Sequence, residues 1–153
     1  MQSTYALTTT AAAGLTAAVA KTVLAVRGGS QFGLRLRKWA IGFDGVTASA
    51  VPVVVDLCHW SGAVAGTATA ATPVQTGGRA IAHGVGGSGQ NYTVEPTVLT
   101  VIKQILLTPN GGLLIEEFSP DTEPDSDALT GFAIRCTAPA TVNARATLEW
   151  ARC

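Results

Sequence analysis

The sequence predicts an all-β fold, a two-sheet β-sandwich, and three observations carry the prediction. From Lys21 onward, apolar residues alternate with polar ones at period two, the mark of half-buried strands. Gly, Pro, Asn and Asp clusters punctuate the chain about every 8–15 residues, close to the turn spacing of a sandwich. No stretch sustains the spacing of a long amphipathic helix. About eight or nine strands result, and eight strands in two sheets is the jelly-roll plan. An immunoglobulin-like sandwich is the rival plan, but its Cys–Trp–Cys spacing is missing. The 153 residues fit one domain.

Taken in order, residues 1–20 are rich in Ala and Thr and read as a loose N-terminal arm ahead of a sandwich domain at 21–153. Residues 21–27 make the first strand, closed by a turn at Gly28, Gly29 and Ser30. In the second, residues 33–44, the apolar set starts on Leu34 and Leu36, then moves to Trp39, Ile41 and Phe43. A phase switch inside one strand predicts a β-bulge near Arg37 and Lys38. Asp44 and Gly45 supply the next turn. Residues 51–60 place Val51, Val53, Val55 and Leu57 on one face, with Pro52 at the start. Residues 61–76 read as one weak edge strand, and 77–90 as a long glycine-rich loop, either mobile or functional. A short strand around Tyr92, a break at Pro96 and a strong strand up to Leu107 follow. A tight turn at 109–112 leads into residues 113–118, then an acidic loop at 119–128. Residues 129–137 face Phe132, Ile134 and Cys136 one way. Residues 141–153 do the same with Val142, Ala144, Ala146, Leu148 and Trp150.

Composition narrows the function. Only 13% of residues are charged and 47% are hydrophobic, against about 25% charged in an ordinary soluble domain. So few charges point to burial of part of the surface against other subunits; the bland reading is a neutral monomer coated with Ala and Thr. The net charge of zero argues against direct nucleic-acid binding. The longest apolar runs, such as 51–55, are too short to span a membrane. The first twenty residues lack a basic segment and are interrupted by threonines, so a signal peptide is not expected and synthesis in the cytoplasm is. Three widely spaced cysteines, Cys58, Cys136 and Cys153, are no disulfide framework.

Catalytic patterns are thin. Of the two histidines, His59 adjoins Cys58, but neighbours on a strand point to opposite faces and do not easily share one ion. The stretch from Gly86 to Gln90 lacks the last glycine of a nucleophile elbow. Asp121, Glu123, Asp125 and Asp127 alternate and could converge on a cation. An EF-hand is excluded, because Ser126 and Phe132 hold its glycine and final glutamate positions. The bland reading is a solvated acidic loop, or one docked on a basic neighbour. Arg35 and Arg37 share a strand face as a solvent face or as inter-subunit partners of such a loop. Trp60 and Tyr92, near strand ends, are either packing residues or rings that stack on a sugar. No enzyme, cofactor or metal is expected.

Several local patterns resemble one family. They are the 20–24 segment Ala-Lys-Thr-Val-Leu, and Phe43-Asp44-Gly45 with Ala48-Ser49-Ala50 and Pro52-Val53. Tyr92-Thr93 with Glu95-Pro96-Thr97, Pro109 with Gly111-Gly112, and Ala138-Pro139-Ala140 with Val142-Asn143 continue the match. In order, they resemble capsid decoration (cement) proteins of phages and prophages. The resemblance implies a jelly-roll homotrimer that caps the major capsid protein lattice at the virion surface. It carries over no catalytic residue. The alternative expectation is a carbohydrate- or receptor-binding jelly-roll module of a phage particle, with Trp60 or Tyr92 as its stacking ring.

Overall fold

A computed structural model describes residues 2–44 and 51–153 of the chain. The turn expected at Gly45 and the Ala48-Ser49-Ala50 segment lie outside the described residues. Two antiparallel sheets pack face to face as a β-sandwich, with thirteen strands and no helix among the described residues. In chain order the strands are β1 (Thr4–Thr8), β2 (Ala13–Leu15), β3 (Ala20–Arg27), β4 (Leu34–Phe43) and β5 (Val53–Trp60). Next come β6 (Thr67–Ala70), β7 (Val74–Gly77), β8 (Gly87–Val94), β9 (Leu99–Leu107) and β10 (Leu113–Glu117). The last are β11 (Asp125–Ser126), β12 (Gly131–Thr137) and β13 (Val142–Arg152).

One sheet runs β10-β4-β13-β1-β7, with β2 beside β13 and β11 beside β4; the other runs β6-β8-β3-β12-β5-β9. The eight main strands pair from the outside in: β1 with β13, β3 with β12, β4 with β10, and β5 with β9. The two ends of the chain therefore meet first, and each later pair nests inside the last.

Sequence pattern explains the core. Apolar residues at alternating positions of β13, Val142 through Trp150, enter the space between the sheets, as do Phe132, Ile134 and Cys136 of β12. On β4 the inward set is Leu34, Leu36, then Trp39, Ile41 and Phe43. Arg37 is the extra residue: Trp150 pairs with Leu36 while Glu149 pairs with Lys38, so the bulge lies where the apolar parity changes. On β5, Val53, Val55 and Leu57 point inward. Val51 lies ahead of the strand and is exposed, which corrects its expected place on that face. A smaller cluster of Ala25, Cys58, Trp60, Tyr92 and Ala133 covers the outer face of the six-stranded sheet.

Three expectations change. The N-terminal segment is not a loose arm: β1 lies between β13 and β7, and Tyr5 and Leu7 are fully buried. The ring of Tyr5 stacks on Trp150, centroids 6.3 Å apart, so alternating large residues among small ones sufficed to build a strand. The weak strand at 61–76 is two strands, and they belong to different sheets: β6 ends one and β7 ends the other. Each is four residues long, and short edge strands need little apolar content. In the glycine-rich segment, residues 87–90 are part of β8. The rest is pinned by side chains of the chain ends: Ser3 Oγ donates to Arg79 O (2.9 Å), Tyr5 OH to Ile81 O (2.8 Å) and Arg152 Nη1 to Ala82 O (3.3 Å).

Candidate functional site

The basic pair and the acidic loop find each other within one chain. β11 runs beside the start of β4, with Asp125 opposite Arg35 and Ser126 opposite Leu34. Leu36 N donates to Pro124 O (2.9 Å) and Leu34 N to Ser126 Oγ (3.1 Å), which holds the loop along the strand. Gly33 permits the approach, since a Cβ there would lie 1.8 Å from the Ser126 carbonyl oxygen. Arg35 Nε donates to Asp125 Oδ1 at 2.9 Å. The Glu123 side chain, only 7% exposed, sits 3.7 Å from Arg35 Nε and 3.4 Å from Arg37 Nε. The hydrogen bond and charge of Asp125 hold the Arg35 guanidinium above its usual pKa. These charges form a clip inside the subunit. Asp121 and Asp127 are exposed and stand apart from the clip. Among the described residues, no group of three or more His, Cys, Asp or Glu side chains could hold a metal ion.

Trp60 and Tyr92 do come together, but inward. They are 1% and 3% exposed and share the cluster on the outer face of the six-stranded sheet. Tyr92 lies over Gly89, whose missing side chain leaves room: a Cβ there would meet Tyr92 OH at 3.0 Å. Burial pushes the Tyr92 hydroxyl up to about 12, with Glu95 adding to it. The Arg27 guanidinium stands 5.6 Å from the centre of the Trp60 ring. A cleft of about 270 Å³ beside them is lined by Trp60, Gly66, Ala68, Gly87, Ser88 and Tyr92. With neither ring face open, a sugar has no platform to stack on, and this burial counts against the sugar-binding expectation.

The histidines are separated. His59 packs edge-on against Phe132, ring centroids 5.9 Å apart, while Cys58 faces the outer cluster. His83 Nδ1 accepts from Val85 N at 3.2 Å. Burial pushes the Cys58 thiol up to about 11 and raises the Cys136 thiol further, so both pack as small apolar groups.

No family model, curated protein or solved structure matches this chain. What the molecule itself offers is surface.

The surface that sequence reasoning missed is the side where β9 and β10 end their sheets. Lys103 of β9 pairs with Glu116 of β10, and Trp39 Nε1 donates to Glu116 Oε2 at 2.7 Å, which ties the two sheet edges together. Around this tie Val101, Ile102, Leu106, Leu113 and Ile115 are exposed. The signal was the run from Thr97 to Thr108, apolar at both parities. Such a run reads as a strand covered on both faces. Here it is an edge, and nothing among the described residues supplies the second cover.

Proposed function

We propose that the chain is a non-enzymatic structural protein of a phage particle, an oligomeric jelly-roll module that coats and reinforces the capsid by binding its major protein. The observation that carries the assembly part is the apolar seam of β9 and β10, with Leu106, Leu113 and Ile115 each at least 60% exposed. Free subunits do not ordinarily leave edge strands of this kind open to water, because they pair and aggregate. A chain with 13% charged residues has few other means of staying apart from its neighbours. The nesting of four strand pairs supports the jelly-roll reading, since rolling up one long hairpin of eight strands produces that order.

The capsid as the partner rests on the resemblance in the order of the turn-and-strand motifs. Mass spectrometry of purified particles made by a host carrying this gene tests it. Peptides of this chain in amounts comparable to the major capsid protein are expected; particles that lack them would sink the reading.

A further inference from the structure

Among the described residues the sandwich has four sheet edges, and three are blunted. β6 and β7 have four residues each, and β10 has five and carries the exposed Glu117. The fourth, β9, is nine residues long and includes Leu99, Val101, Ile102, Ile105, Leu106 and Leu107. Its two central polar side chains are already engaged within the chain. Lys103 pairs with Glu116 and stands 5.5 Å from the centre of the Phe118 ring, and Gln104 donates to Asp56 Oδ1 at 2.8 Å. One side of β9 pairs with β5; along its other side no described strand or turn bonds to it. An open row of peptide N–H and C=O groups, flanked by apolar side chains and free of available charge, is a template for one more strand.

We propose that the next strand is β9 of a second copy, added antiparallel about a two-fold axis, so that two six-stranded sheets join into one. This names a partner for the assembly reading above and rests on its claim that the seam is covered, not on the capsid. The register follows from the strand. Leu57 pairs with Lys103 and Cys58 with Val101, which leaves Ile102 as a bulged residue and Lys103 to Leu107 as the regular stretch. Centring the two-fold on Ile105 sets Ile105 against its own copy, Gln104 against Leu106, and Lys103 against Leu107. No like charges meet. Centring on Lys103 would oppose two ammonium groups, which disfavours that register. A second copy suits this edge because the two strands are equal in length, Ile105 meets its own apolar copy at the axis, and each Lys103 lies opposite the neutral Leu107.

The test uses the full chain. Light scattering is expected to give the mass of two subunits at high concentration, falling to one on dilution. Six subunits would fit as well, if a three-fold contact also forms. Amide exchange in β9 should slow with the association, while exchange in β12 stays constant. Leu106→Lys should halve the mass with the fold intact, and Ile102→Lys serves if that variant does not fold. Val74→Lys, on the β7 edge of the other sheet and outside the seam, should leave the mass at two. A monomer at every concentration, a mass of three with β9 amides exchanging freely, or dissociation by Val74→Lys equal to that by Leu106→Lys would each overturn the strand pairing. None of these results bears on whether virions contain the chain, so the two proposals fail separately.

Discussion

Glu123 shows how much one side chain can organise. It lies almost buried between two guanidinium groups that are themselves near 40% exposed. Glu123→Gln keeps the shape and removes the charge, leaving Arg35 with Asp125 alone and Arg37 without a carboxylate. The expected cost is about 1–2 kcal/mol, well below the 3–5 kcal/mol of a fully buried pair, because water screens both arginines. Urea unfolding would measure it, and an unchanged midpoint would mean that the clip adds nothing to stability. The residues of this clip were legible in the sequence as an acidic loop and a basic pair. Their meeting within one chain was not, because nothing local says that the loop after β10 turns back along β4, the strand β10 itself pairs with.

At the level of elements, what the sequence disclosed depended on side-chain size. The β4 bulge was readable because Leu36 and Trp39 are large residues of opposite parity. The inward faces of β12 and β13 were readable for the same reason. β1 and β2 were hidden because Tyr5, Leu7 and Leu15 are diluted among Ala and Thr, whose small side chains blur a period of two. β9 was legible as a strand, but its place at a sheet edge was not, because an apolar run looks the same in a central strand as in an edge strand.

The tie between β9 and β10 has a pH signature. Burial alone would raise the Glu116 carboxyl. Hydrogen bonds from Lys103 and Trp39, with the charge of Lys103, outweigh that and hold it below its ordinary value of 4.5. A carboxyl depressed in the folded state lends stability that is complete above the ordinary value and disappears as pH falls through the folded value. Acidification below about 4.5 should therefore loosen this side of the sandwich. Glu116→Gln should flatten that part of the stability profile, as read by thermal unfolding across pH. A variant with the same acid slope as the parent would rule the tie out as its source.

For the molecule as a whole, the order of pairing matters more than any one contact. The first strand lies on the last, so folding must bring together residues far apart in sequence, which is slow relative to local hairpins. The same feature closes the chain into a near-loop. Thr4 sits opposite Ala151, and the Gln2 side chain bonds the Arg152 carbonyl. The covalent origin of the polypeptide is thus, topologically, almost arbitrary. A short flexible linker from Cys153 to Gln2, with new ends opened at the exposed Asn110–Gly111 turn, should give a circular permutant that unfolds in one transition like the parent; a molten or insoluble product would show that the two terminal segments do more than meet. By the same geometry, cargo fused to either end would leave the sandwich at a single corner.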